Sequence, residues 1–163
     1  MGQSLPDFSL TSARGKTVRL SELTAGSPVA LIVLRGYPGY QCPLCQRQVH
    51  DFVKHAAAFE EAGVKLVFVY PGPPDALDAK ANQFLHDKNF PDSFEMLLDP
   101  GYEFTNLYGL RWDAPKETAY PSTFLIEKGG TLYFQKVAKL HGGRTTASEV
   151  LELLPRKKAG KAK

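Results

Sequence analysis

The chain has 163 residues and a net charge of +3, with 43% hydrophobic and 23% charged residues. That balance describes one soluble domain that buries a core without staples. No apolar run is long enough to form a helix that crosses a bilayer. The charge is mild and partly carried by Arg156–Lys163, a solvated tail that gives little reason to expect a nucleic-acid partner. Met1–Pro6 has neither the basic segment nor the apolar run of a signal peptide, and Pro6 stands where a myristoylation signal needs Ser or Thr. A cytoplasmic, reducing location is expected. There, paired cysteines are redox-active more often than structural.

Phe8–Thr11 alternates apolar and polar residues, Ser12–Gly15 turns, and Lys16–Leu20 returns, which predicts an N-terminal β-hairpin. A short helical turn follows at Ser21–Leu23. Pro28–Leu34 is almost wholly apolar, as a strand buried on both faces should be. A long amphipathic helix then runs from Pro43 to a C-cap at Gly63. Val64–Tyr70 is a second apolar strand, completing a parallel crossover that is expected to be right-handed. Asp75 is positioned to cap a helix to about Lys88. A short strand is predicted at Phe94–Leu98 and a short helix at Tyr102–Tyr108, closed by Gly109.

The stretch Gly109–Tyr120 is polar and irregular, a surface loop with Trp112 as a lid. Ser122–Ile126 and Leu132–Val137 form a hairpin about Gly129–Gly130. Thr146 with Glu149 makes a capping box that opens the last helix, which ends at Pro155. The order describes a three-layer α/β/α sandwich with a mixed central sheet. Residues 1–155 are read as one domain and 156–163 as a disordered basic tail.

Both cysteines of the chain, Cys42 and Cys45, stand where the buried strand meets the long helix. Pro43 fits the first helical position, which makes Cys42 the N-cap and puts Cys45 one turn in. Unpaired N–H groups and the positive dipole end stabilise a thiolate there and lower a thiol pKa to roughly 3.5–7.5. A second thiol three residues on can resolve the mixed disulfide or sulfenic acid formed at the first. The pair is a two-electron redox unit that needs no cofactor and no metal. Cys45 shares a helical face with Val49, Phe52, Val53, Ala56 and Phe59, so it points inward, and Cys42 is expected at the exposed tip.

Other readings are weaker. A strand-to-helix join is a poor place for ordinary core cysteines, and a loop this short gains little from a structural disulfide. Zinc needs two more ligands. At about 100° per residue, His50 is turned about 140° from Cys45 and cannot converge with it.

Pro6-Asp7-Phe8-Ser9-Leu10, Gly15-Lys16-Thr17-Val18, Leu20-Ser21-Glu22-Leu23, and Tyr37-Pro38 with Cys45 seven positions after the proline stand together in this chain. In combination they resemble the peroxiredoxin-like AhpC/TSA branch of the thioredoxin-fold superfamily. The family pattern runs from proline through threonine to the peroxidatic cysteine. Pro38, Cys42 and Cys45 fill those three places, with Cys42 where threonine belongs. The family's distant arginine is expected just before Ser122, and Pro121 stands there instead, as the cis-proline of thioredoxins does. An edge-strand proline is the plainer alternative.

The resemblance implies two cycles on the same thiols. In the first, Cys45 (or Cys42) attacks a peroxide and becomes a sulfenic acid, and the partner thiol condenses with it to a Cys42–Cys45 disulfide that a thioredoxin- or glutaredoxin-type donor reduces. In the second, the chain exchanges disulfides with proteins, with Cys42 attacking, Cys45 resolving and Pro121 supporting the bound chain. A non-catalytic redox sensor is the third reading. Pro38, Tyr40 and Arg35 are supporting candidates, with Arg35 able to lower a thiol pKa by its charge. Tyr37, Arg47 and Arg144 are further possible sources of charge or hydroxyl donors.

Overall fold

The computed structural model describes residues 4–140 and 143–154. Seven strands form one mixed sheet: β1 Ser9–Ser12, β2 Thr17–Arg19, β3 Val29–Val33, β4 Lys65–Gly72, β5 Phe94–Pro100, β6 Ser122–Ile126 and β7 Leu132–Val137. Their spatial order is β2-β1-β5-β4-β3-β6-β7. Strand β3 lies between β4, which runs parallel to it, and β6, which runs antiparallel. All five of its residues are buried, as the unbroken apolar run requires.

The pleat divides β3 between two cores. Ala30 and Ile32, continued by Leu34, face one cluster with Cys45, Val49, Phe52, Phe59, Ala81, Phe84 and Val150. Val29, Leu31 and Val33 face the other, with Phe8, Leu10, Leu20, Phe104 and Phe124. Helices α2 (Pro43–Lys54), α3 (Ala56–Ala62), α4 (Leu77–Leu85) and α6 (Ala147–Leu153) therefore cover the first face. Helices α1 (Leu20–Gly26) and α5 (Glu103–Leu107), with Phe8 ahead of β1, cover the second. The architecture is the expected three-layer sandwich.

Two expectations about helices need correction. The long helix does not run unbroken to Gly63. His55 leaves helical geometry (φ −104°, ψ 16°) and divides it into α2 and α3. Its Nδ1 lies 2.9 Å from the Asp51 carbonyl oxygen, a local bond that competes with the helical pattern. Gly63 does close α3 in the left-handed conformation. Asp75 does not cap α4. The N-cap is Ala76, at φ 60°, and no side chain caps that end. The Thr146–Glu149 capping box is present, with both reciprocal bonds formed. Pro155 and the basic tail lie outside the described residues.

The end of β3 is shaped by a close approach. Gly36 has φ +72°, and a Cβ there would lie 2.1 Å from the Pro71 carbonyl oxygen. The Tyr37 N–H donates to that same oxygen at 2.9 Å. Only glycine lets the chain turn against β4 at this point and carry the cysteine loop across the end of the sheet.

Candidate active site

Cys42 is the N-cap of α2, with Pro43 at the first helical position, and its Sγ accepts the Cys45 N–H at 3.5 Å. The loop before it is anchored by Gln41. That side chain donates to the Lys80 carbonyl at 2.9 Å and accepts the Tyr70 hydroxyl at 2.7 Å. Cys45 lies one turn in. Its Sγ accepts the Arg35 backbone N–H at 3.3 Å. Both cysteines are free thiols.

The expected contrast in exposure is absent. Cys45 is 0% exposed and Cys42 only 1%, so the helix tip is roofed over. Part of the roof is Arg144, from the segment before α6. Its Nη1 donates to Cys45 Sγ at 3.1 Å and its Nη2 to Cys42 Sγ at 3.6 Å, so one guanidinium spans both sulfurs.

Arg144 is held by polar residues on the inner face of α2 and on β6. Its Nη1 also donates to Gln48 Oε1 at 3.2 Å, and Gln48 Nε2 donates to the Thr145 carbonyl at 3.1 Å. The Thr145 and Thr123 hydroxyls lie 2.7 Å apart, and the Ala147 N–H donates to Asp51 Oδ2 at 2.8 Å. Gln48 carried a signal in the sequence: it is a polar residue one turn beyond Cys45 on the face that enters the core. Nothing local indicated that residues 144 and 145 would close over it, because that contact spans about a hundred residues.

The two thiols are driven apart in acidity. The Cys45 thiol hydrogen-bonds to Cys42 and holds its pKa down to about 4 against the cost of burial, helped by the Cys45 N–H, Arg35 and Arg144. Burial pushes the Cys45 thiol well above its ordinary value, and the bond to Cys42 adds to that. The hydrogen bond between them favours the thiolate on Cys42 and the proton on Cys45.

The other sequence candidates are placed as follows. Arg35 is 3% exposed, with Nε donating to Glu117 Oε1 at 2.9 Å and Nη2 to the Lys116 carbonyl at 3.1 Å. Its guanidinium lies 5.4 Å from the centre of the Tyr40 ring, and Tyr40 is itself exposed on the outer side. Pro38 belongs to the bend between Gly36 and Tyr40. Pro121 is buried just before β6, whose first residue pairs with Val33, so it stands at the same sheet end as the cysteine loop. The Tyr120–Pro121 bond is trans, as are all peptide bonds among the described residues. Arg47 is exposed and lines a surface cavity with His50 and Asp87, on the outer face of α2. Trp112 packs by stacking on Tyr120, with ring centres 4.9 Å apart.

The sequence profile described as the AhpC/TSA family matches residues 1–135. This chain belongs to the AhpC/TSA family. Among curated relatives it is 29% identical to peroxiredoxin Bcp of Bacillus subtilis, with 81% of each chain covered. It is 26% identical to the thiol-disulfide oxidoreductase ResA of Halalkalibacterium halodurans, over 94% of this chain and 74% of that one. Among solved structures, peroxidoxin BcpB of Mycobacterium tuberculosis shares the fold with a TM-score of 0.76. It is 19% identical, with 95% of this chain and 97% of that chain covered. The family match ends before Arg144, so the guanidinium across the thiols comes from beyond the matched residues.

Proposed function

We propose that the chain is a thiol-dependent oxidoreductase that reduces peroxides through a Cys42/Cys45 dithiol–disulfide cycle. The observation that carries this reading is one half-buried guanidinium bridging two buried sulfurs, shifted in opposite directions in acidity, at a helix N-terminus. The Cys42 thiolate attacks one peroxide oxygen and the O–O bond breaks. The leaving oxygen takes a proton and departs as water or an alcohol, and Cys42 becomes a sulfenic acid. Arg144 faces the charge that develops on the leaving oxygen. Cys45 then gives up its proton, its sulfur bonds to Cys42, and the sulfenic hydroxyl leaves as water. A dithiol donor of thioredoxin or glutaredoxin type returns two electrons and two protons, which fits the reducing, cytoplasmic setting proposed for the chain.

Disulfide exchange with a protein is the second reading, favoured by the C-x-x-C itself and by the ResA relative. Burial of Cys42 weighs against it, because a peroxide can enter a roofed site more readily than a polypeptide can. The trans bond before Pro121 also removes the cis geometry that the thioredoxin comparison would have used. The test is peroxide consumption by purified protein with a thioredoxin system, alongside insulin-disulfide reduction. Peroxide turnover well above that of a free thiol is expected, with sulfenic acid trapped in Cys45→Ser and not in Cys42→Ser. Insulin reduction without peroxide turnover would replace the first reading by the second.

A further inference from the structure

We infer that Glu117 is a positioning residue for the thiol pair: it fixes Arg35 so that the Arg35 N–H meets Cys45 and the Arg35 guanidinium stays buried beside Cys42. This rests on the dithiol reading above and adds a residue that no motif in the chain points to.

Arg35 is gripped at three places by one arm of the chain. Its guanidinium donates to Glu117 Oε1 at 2.9 Å and to the Lys116 carbonyl at 3.1 Å, and its own carbonyl accepts the Thr118 hydroxyl. Its backbone N–H is the donor to Cys45 Sγ. The ion pair is out of water, with the two side chains 3% and 12% exposed. A buried guanidinium stripped of its carboxylate is strongly unfavourable, so it would leave for solvent and take the local backbone with it.

The arm is stiff enough to act as a mount. Arg111 Nη1 donates to the carbonyls of Trp112, Glu117 and Thr118 at 2.6, 3.1 and 2.8 Å. Arg111 and Ala119 form a bridge, and Lys116 sits at φ 60°, a conformation that a non-glycine residue keeps only when its surroundings impose it. The groups facing Cys42 are Cys45, Arg35 and Arg144, with the Tyr70 hydroxyl behind the loop. Arg144 reaches the sulfurs independently of the arm, through Gln48. Loss of Glu117 therefore removes one of two cations, and its effect is graded.

The test is the pH dependence of iodoacetamide alkylation at Cys42, quantified by peptide mapping of the reduced protein without peroxide or donor. Turnover is not read, so a failure of the peroxidase assignment and a failure of this inference are distinguishable. Glu117→Ala should raise the alkylation midpoint by about one pH unit, slowing the reaction roughly tenfold below both midpoints. Glu117→Gln keeps an oxygen for Arg35 Nε and should leave the midpoint in place or lower it. If Glu117 were only a counter-charge, both variants would lower the midpoint, and that result overturns the inference. So does a Glu117→Ala midpoint equal to wild type. Where Glu117→Ala does not fold, Arg35→Lys takes its place. It keeps the charge but loses the fork, and an unmoved midpoint there is again fatal.

Discussion

Cys42 and Cys45 have the same chemistry, and their surroundings make them different. Cys42 accepts from an N–H at the helix start, from its neighbour's thiol and from two cations, whereas Cys45, equally buried, gives its own thiol hydrogen to Cys42. This difference has a pH signature. The folded pKa of Cys42 lies below its unfolded value near 9, so the unfolded chain holds a proton that the native one has lost. The stabilisation is complete above about pH 9 and fades as pH falls toward about 4. Cys45 is raised, so its contribution is present below its unfolded value and is lost as pH climbs past about 9. Thermal melts of the reduced protein and Cys42→Ser should therefore diverge steadily between pH 5 and 8, with wild type gaining. Parallel curves would refute the assigned charge. Removing Arg144 should raise the Cys42 alkylation midpoint more than removing Glu117, because Arg144 contacts both sulfurs.

At the scale of elements, the site depends on how β3 hands over to α2. The turn at Gly36 has no room for a side chain, since Pro71 occupies the space and the φ is positive. Gly36→Ala should lose about 2 kcal/mol or more, seen as a lower denaturant midpoint, because strain and overlap act together. Its thiols should also titrate closer to ordinary cysteine, since Arg35 and the cysteine loop move with that turn. The opposite wall is α6. Its capping box fixes where the helix starts and hence where Arg144 lies, one residue before Thr145. Thr146→Ala should cost about 1 kcal/mol of stability and loosen the hold on both sulfurs.

For the whole molecule, the fold has to favour a dithiol that carries a charge. Each stabilising contact to the Cys42 thiolate is lost when the sulfurs join, and the negative charge that Arg144 and Arg35 face there is gone. A bridge closing so short a loop restrains the unfolded chain weakly in return. Reduced protein should therefore melt at a higher temperature than diamide-oxidised protein at pH 7. A fold that stabilises its dithiol makes its disulfide the stronger oxidant, which suits prompt recharging by a donor. An oxidised form that melts higher would contradict the charge distribution.

Much of this protein could be read along the chain because its signals are local. The apolar run of β3, the capping box of α6, Pro43 at the start of α2 and the glycine closing α3 each act within a few residues. The spacing of Cys42 and Cys45 put both sulfurs at one helix mouth, and the structure keeps them there. The break at His55 and the uncapped start of α4 were not legible, since the first goes with a single His55 side-chain bond to the Asp51 carbonyl and the second with Ala76 held at positive φ. Burial of Cys42 was not legible either. A helix tip is open to solvent until something remote covers it, and here Arg144 arrives from about a hundred residues away. Spacing brought the two candidate sulfurs together. Their acidity was left to the fold, because charge and burial act through space and are indifferent to distance along the chain.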